Sequence, residues 1–198
     1  VQTCALPICL VHVTERYDVA QRWDSGEQAT SSAWALYMAD DAPQRKVRAG
    51  ETFVLDGVTF TVLWPPPGLD SKDVNELSVV VRVSYGTTSV LLTGDFEAGA
   101  QARLMESTDV SADVLKVPHH GSRYQDSDYL AELRPGLALV SVGAGNDYGH
   151  PAPSTVSLLR AHGTPVLRTD VVGGIAVVTR GHTVSVAVER TWHGRLPT

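Results

Sequence analysis

Three apolar runs of this 198-residue chain are each followed by side chains that suit chemistry better than packing. Asp95 follows the first run, the adjacent His119 and His120 follow the second, and His150 lies in a glycine-rich loop after the third. A carboxylate and neutral imidazoles are common protein ligands of metal ions. A histidine in a polar loop can also bind a phosphate or transfer a proton. The pattern therefore predicts a metal-dependent reaction.

The secondary structure predicted around these residues would bring them together. Apolar residues 90–92 and 114–117 are typical of buried strands, and residues 98–105 between them of a helix. A strand–helix–strand crossover returns the chain in the same direction, so both strands lie parallel in one sheet. Ligands of open α/β sheets bind beyond the carboxyl ends of the strands. We expect Asp95 and the histidine pair at one sheet edge, close enough to share a metal ion, and the loop histidine at the same edge.

Each candidate also has a structural interpretation. Asp95 could cap the helix that follows it, because a carboxylate stabilises a helix N-terminus. The loop of His150 could be a surface turn. Adjacent histidines between Pro118 and Gly121 are harder to explain by packing. Successive side chains of an extended segment point to opposite sides. We therefore expect one histidine of the pair at the metal and the other near the substrate or behind the ligand.

The rest of the chain predicts one α/β domain. Two hairpins precede the central stretch, and alternating helices and strands follow it before a closing hairpin. Thr169-Asp170 is interpreted as a turn. The predicted hairpins are 52–55 with 58–64, 78–83 with 88–92 and 175–179 with 183–188; the predicted helices are 33–38 (capped by Ser31 or Ser32), 126–133 (capped by Asp126 or Ser127) and 154–161 (capped by Ser154); strand 137–142 precedes the loop of His150, and 165–168 is the last parallel strand.

Composition places the chain among globular proteins without a basic surface. Hydrophobic residues make up 43% and charged residues 19%, and the formal net charge is −6. Phosphate affinity normally comes from Lys and Arg, so this balance argues against nucleic-acid binding without a metal. No apolar run reaches the roughly 20 residues that span a bilayer. The two cysteines, Cys4 and Cys9, form no recognisable metal or disulfide framework.

Five segments carry a resemblance to a known family. They are NELSVVV (75–81), LLTGD (91–95), DVLKVPHHGS (113–122), NDYGHP (146–151) and RTD with GGI (168–175). In this order they resemble the metallo-β-lactamase-type domain of ComEC-like competence proteins, over roughly residues 51–188. The resemblance implies an α/β fold of the metallo-β-lactamase type, which is an αββα sandwich. It also implies a phosphodiesterase that uses divalent zinc or manganese ions and degrades DNA during uptake.

The resemblance further implies roles for individual residues. Asp95 matches a carboxylate that bridges two metal ions, and either His119 or His120 matches a later histidine ligand. His150 matches a position that we assign to the substrate phosphate or to protonation of the leaving group. Our assignment takes Asp95 and His119 as metal ligands and His120 and His150 as catalytic residues. The residues assigned to substrate binding are Ser122, Asn146 and Tyr148.

One part of the family pattern is absent. The principal ligands of the family lie in a His-x-His-x-Asp-His segment in the first half of the domain, and this chain has no such segment. Residues 1–8 resemble the translation of a sequencing adapter. We therefore expect 1–8 to be non-native and 9–198 to be a partial domain, a sandwich incomplete at its N-terminus. Such a fragment should bind divalent metal weakly or not at all and should be inactive, although its parent would be a nuclease.

The resemblance also predicts the setting of the parent protein. It implies DNA as partner, a membrane channel domain in the same parent chain, and a place in the bacterial cytoplasmic membrane with this domain on the extracytoplasmic side. The fragment itself is expected to be soluble. Two alternatives stay open: a stand-alone metallo-β-lactamase-fold hydrolase of another phosphodiester or ester, and a catalytically dead domain that binds DNA or a partner. Membrane spans and an intact metal segment upstream would favour the uptake nuclease.

Overall fold

The fold is built on a seven-stranded mixed sheet. The structure is a computed structural model that describes residues 14–26, 32–39, 42–180 and 183–190. The strands are β1 (Arg22–Asp24), β2 (Gln44–Lys46), β3 (Thr52–Leu55), β4 (Val58–Trp64), β5 (Val80–Tyr85), β6 (Thr88–Leu92), β7 (Val114–Lys116), β8 (Leu137–Val140), β9 (Val166–Arg168), β10 (Ile175–Arg180) and β11 (Thr183–Val188). The helices are α1 (Ser32–Met38), α2 (Ala98–Ser107), α3 (Ser127–Leu133), α4 (Pro153–Ala161) and α5 (Thr169–Val172), with 3-10 turns at Asn75–Leu77 and Pro118–Gly121.

The strands of the large sheet follow one another in chain order from β3 to β9. Strands β3 to β6 form an antiparallel meander, in which tight turns at Asp56-Gly57 and Gly86 connect β3 to β4 and β5 to β6, and the longer segment 65–79 connects β4 to β5. Strands β6 to β9 are parallel, because helices connect them. The predicted strand–helix–strand crossover and the mixed α/β class are confirmed. Consequently the chain leaves β6, β7 and β8 at the same edge of the sheet.

Alternating side chains of the parallel strands build two separate cores. Leu115 and Ala138 point to one face, where they pack with residues of α2, α3 and α4. Val114 and Leu137 point to the other face, where the β10–β11 hairpin covers them. Full burial of a side chain such as that of Leu115 contributes about 1.5–3 kcal/mol. Helices, large sheet and hairpin therefore form three successive layers.

The small β1–β2 sheet lies on the same face as the hairpin. Phe53, Phe60 and Val83 stand opposite one another across β3, β4 and β5, and Val83 stands opposite Val90 of the hairpin-covered core. The ring of Trp23 in β1 packs on this row, with its centroid 4.3 Å from that of Phe53 and 5.6 Å from that of Phe60. Directly opposed residues share a sheet face. The face of the large sheet opposite the helices is therefore covered by the β10–β11 hairpin at one end and by the β1–β2 sheet at the other.

Two local predictions need correction. Helix α4 begins at Pro153 with Ala152 as its N-cap, so Ser154 is not the cap. Proline suits the first helical position, because its fixed φ matches a helix and its missing N–H would have no partner there. Thr169-Asp170 is the first turn of the short helix α5 rather than a simple turn. The predicted non-native segment 1–8, both cysteines, Ser31, His12, His182 and His193 lie outside the described residues.

In the described part of the chain, no helix has the length and apolar character needed to cross a membrane.

Candidate metal centre

Asp95 lies directly beyond the end of β6, where the chain turns at Gly94. Gly94 has a φ of +55°, and an added Cβ would lie 3.1 Å from the Cβ of Ser78. The backbone N–H of Asp95 donates to the hydroxyl of the same Ser78 at 3.1 Å. The N-cap of α2 is Glu97, so Asp95 is not the helix cap. Its side chain is buried, with 4% of the residue exposed, and its Oδ1 has no hydrogen-bond partner among the described residues.

The two adjacent histidines form a tight turn after β7 rather than an extended segment. His119 has φ 45° and ψ 47°, and His120 has φ 52° and ψ 23°, so both are left-handed. The expectation that they alternate along an extended chain is therefore wrong. The His119 N–H donates to the Gly94 carbonyl at 3.0 Å, which ties the turn to the end of β6. Left-handed non-glycine residues are strained and cluster at functional sites.

His120 is the histidine that faces Asp95. Its Nδ1 lies 2.6 Å from the carbonyl oxygen of Ser141, which can only accept, so Nδ1 carries the proton. In the neutral ring Nε2 then presents a lone pair. This Nε2 lies 3.5 Å from the Asp95 Oδ1, and among the described residues both buried atoms lack a hydrogen-bond partner. Two acceptors that face each other without a donor require a cation between them or a shared proton.

The separation of these two atoms fits a metal ion. Ligand atoms about 2.0–2.2 Å from a tetrahedral ion lie about 3.4 Å apart, close to the 3.5 Å between Nε2 and Oδ1. A backbone carbonyl on the other ring nitrogen is the arrangement that fixes the tautomer of a metal-binding histidine. Asp95 and His120 therefore fit a divalent metal. The described residues contain no group of three or more His, Cys, Asp or Glu able to hold one, so this candidate site has two donors among them.

His119 is anchored differently, by a residue that the sequence analysis missed. Its Nδ1 lies 2.6 Å from the Oε1 of Glu97, and both side chains are about three-quarters buried. A carboxylate also accepts only, so the Nδ1 of His119 carries the proton and its Nε2 has the lone pair. The ring of His150 lies beside that of His119, with the two centroids 5.4 Å apart. The sequence feature that could have pointed to Glu97 as a site residue is its position two residues after Asp95.

The loop before α4 brings His150 to the same edge, as expected from its place after β8. Burial lowers the pKa of His150, and the nearby His119, His120 and Arg123 lower it further while Asp95 opposes them. The ring is therefore neutral at neutral pH and keeps one N–H for donation. The exposed Tyr148 ring lies 6.3 Å from it, centroid to centroid.

Two of the residues assigned to substrate binding make hydrogen bonds within the chain. Ser122 is fully buried, its hydroxyl accepts the N–H of Tyr124 at 3.0 Å, and its carbonyl accepts from Thr155 at 2.7 Å. The side-chain amide of Asn146 is bonded within its own loop. Tyr148 is 59% exposed and remains open to a ligand.

The fold and this edge define an α/β protein in which two buried acceptors, one from Asp95 and one from His120, face each other at the carboxyl ends of parallel strands. No family model matches the chain. ComE operon protein 3 of Bacillus subtilis is 36% identical over 132 residues, which are 66% of this chain and 17% of that protein. Recombination protein 2 of Haemophilus influenzae is 33% identical over 153 residues (75% and 19%), and competence protein ComA of Neisseria gonorrhoeae is 35% identical over 123 residues (61% and 18%).

The chain is homologous to a segment of the ComEC-family competence proteins, which confirms the family resemblance of its motifs. It spans less than a fifth of the length of these relatives. Among solved structures, it resembles a hydrolase of Parabacteroides distasonis provisionally assigned as metal-dependent, with 11% identity, 78% of each chain covered and a TM-score of 0.49. It also resembles a Thermotoga maritima protein provisionally assigned as a zinc-dependent hydrolase of the metallo-β-lactamase superfamily, with 12% identity, 72% and 68% coverage and a TM-score of 0.39.

Proposed function

We propose that this chain carries part of the metal centre of a DNA phosphodiesterase that acts in competence DNA uptake. The observation that carries the proposal is the pair of buried acceptors, His120 Nε2 and Asp95 Oδ1, that face each other at 3.5 Å. Homology to proteins named for competence and recombination supports DNA as the substrate. The same homology favours the uptake nuclease over a stand-alone hydrolase of another ester.

The geometry suggests a division of roles that differs from the sequence-based assignment. Asp95 and His120 would hold the metal, with the Ser141 carbonyl fixing the His120 tautomer. A divalent ion in this place would supply an activated water and polarise a phosphoryl oxygen. The neutral His150 would line the substrate side and donate a hydrogen bond to a phosphate oxygen. His119, whose Nδ1–H donates to Glu97, would offer its Nε2 as an acceptor beside it. Tyr148 would contact the substrate at the rim.

Two donors hold a metal weakly, since catalytic zinc sites use three protein ligands. We therefore infer that further ligands come from residues outside the described part of the chain or from another chain. Alone, this polypeptide would bind zinc or manganese weakly and would not turn over DNA. In the parent we place the domain beside a membrane channel domain, on the extracytoplasmic side of the cytoplasmic membrane.

The assignment of ligands is tested by manganese titration followed by NMR. Mn²⁺ broadens signals near it even when it binds weakly, so the wild-type chain should lose the Asp95 and His120 signals first. His120→Ala and Asp95→Asn should each lower the affinity by more than tenfold, because losing only an outer-shell partner of a metal ligand already costs about 10–100-fold. The exposed His162→Ala should leave the affinity unchanged. His119→Ala should have a smaller effect than His120→Ala. If His119→Ala lowered the metal affinity as much as His120→Ala or more, the assignment of His120 rather than His119 as the metal ligand would be overturned.

The predicted inactivity is tested separately with single-stranded DNA and saturating Mn²⁺ or Zn²⁺. No cleavage above the level of the Asp95→Asn variant is expected. Turnover by the purified wild-type chain with stoichiometric metal would contradict the two-donor interpretation while leaving the phosphodiesterase proposal standing.

A further inference from the structure

We propose that Asn146 is a positioning residue that holds His150 at the site, and not a substrate ligand. The inference rests on the proposed function, since it gives a reason why His150 must be held. The Nδ2 of Asn146 donates to the carbonyls of His150 at 2.8 Å and of Gly143 at 3.2 Å. Its Oδ1 accepts the N–H of His150 at 3.2 Å. One side chain therefore satisfies both backbone polar groups of the histidine.

Only an asparagine matches this set of bonds. The carboxamide carries a donor and an acceptor on one short, planar group, so it imitates a neighbouring strand for the backbone of His150. An aspartate at this position would keep the acceptor but lose both donor bonds and place a charge beside two carbonyls. A glutamine would move the same amide outward by one methylene.

The loop has little else to hold its middle part. Gly143, Gly145 and Gly149 are exposed, and the space around an added Cβ is empty at each of them. Glycine also loses more conformational freedom on ordering than any other residue. In this stretch Asn146 is half-buried while both of its sequence neighbours are exposed. Its hydrogen bonds therefore carry the ordering of residues 143–149.

Both ends of the loop are fixed by other contacts. At the start, the Val142 N–H donates to the Thr169 hydroxyl at 2.7 Å, and that hydroxyl also lies 2.7 Å from the Val142 carbonyl. At the end, the Ala152 N–H donates to the Gly121 carbonyl at 2.7 Å, directly behind the histidine pair. With both ends anchored, Asn146 sets the path between them. The result is a His150 ring 5.4 Å from the His119 ring.

The experiment measures the order of His150 in the metal-free chain. Amide hydrogen exchange reports the His150 N–H, which Asn146 accepts, and ring–ring NOEs report its distance from His119. We expect Asn146→Ala to accelerate exchange of this amide at least tenfold and to abolish the NOE. Asn146→Asp, which keeps the acceptor, should accelerate exchange less. The matched control is Asp147→Ala, an exposed neighbour that should change neither readout.

A second measurement separates positioning from substrate contact. Wild-type and Asn146→Ala chains are titrated with a thymidine dinucleotide, which supplies one phosphodiester. Weaker dinucleotide binding with unchanged exchange and NOE would show a direct substrate contact and overturn the proposal. Unchanged exchange in both Asn146 variants would also overturn it. Hydrogen exchange and the NOE need neither bound metal nor catalysis, so the test of Asn146 stands even if the phosphodiesterase proposal fails. The phosphodiesterase proposal is tested separately by His150→Ala in the dinucleotide titration.

Discussion

The contact between Gly121 and Pro151 is the point where the two histidine loops interlock. Gly121 has a φ of +80°, and an added Cβ would lie 2.6 Å from the Cβ and 3.2 Å from the Cα of Pro151. The obstructing atoms belong to a proline ring and its backbone, so no side-chain rotation can relieve the clash. In Gly121→Ala the loop of His150 must move away from the histidine pair.

The cost of Gly121→Ala has two parts. Alanine in the left-handed region costs about 1–2 kcal/mol relative to glycine. Forcing the loops apart adds about 1–3 kcal/mol, the usual cost of overpacking. The free energy of unfolding should therefore fall by about 2–5 kcal/mol in total. Gly163→Ala is the matched control, because Gly163 has a φ of +81° with nothing near the added Cβ, and so it should lose only the first part.

Urea unfolding of both variants measures the difference, and the NOE between the rings of His119 and His150 measures the local movement. Gly121→Ala should be less stable than Gly163→Ala by about 1–3 kcal/mol and should lose the NOE. Equal losses of stability in the two variants, with the NOE intact, would refute the interlocking of the loops.

Three further predictions concern single side chains. The Tyr129 hydroxyl is buried without a hydrogen-bond partner among the described residues. Tyr129→Phe should therefore raise the free energy of unfolding, measured by urea denaturation, by about 1 kcal/mol. A lower free energy of unfolding in the variant would mean that the hydroxyl is hydrogen-bonded. Glu97→Ala should shift His119 from the Nδ1–H toward the Nε2–H tautomer in long-range ¹H–¹⁵N spectra, and Glu97→Gln, which still accepts, should not. The pKa of His150 is lowered in the folded chain from its ordinary value of 6.5. As the pH falls below 6.5, the unfolded chain therefore takes up a proton at His150 before the folded chain does, and this destabilises the folded chain. The metal-free wild type should therefore lose stability more steeply than His150→Gln between pH 7 and pH 5, and parallel curves would contradict this.

The sequence predicted the scaffold of the site better than its contacts. Apolar strands separated by a helix determine a parallel pair, and parallel strands end at one edge, so the meeting of Asp95 with the histidine pair followed from topology alone. The meander and the closing hairpin followed from turn residues such as Asp56-Gly57. These features depend on local patterns, which a sequence displays directly.

The choice between the two histidines could not be predicted, because it depends on backbone angles and distant partners. The sequence predicts an extended pair, whereas both residues are left-handed. Glu97 was missed because its partner His119 lies 22 residues further along the chain, and no sequence pattern links the two. Asn146 was assigned to substrate because its hydrogen bonds within the loop have no separate sequence signal.

The order of the strands explains why adjacent histidines acquire different partners. Strand β7 lies between β6 and β8, and the chain beyond each neighbour supplies one acceptor: Glu97 after β6 and Ser141 after β8. The carbonyl of Ser141 accepts from the Nδ1 of His120, whose Nε2 faces Asp95 at 3.5 Å. The carboxylate of Glu97 gives His119 an anionic partner, and the His119 ring lies 5.4 Å from the His150 ring, centroid to centroid. Two residues with the same backbone conformation are thus separated into a candidate metal ligand and a candidate substrate-facing group by the strands on either side of them.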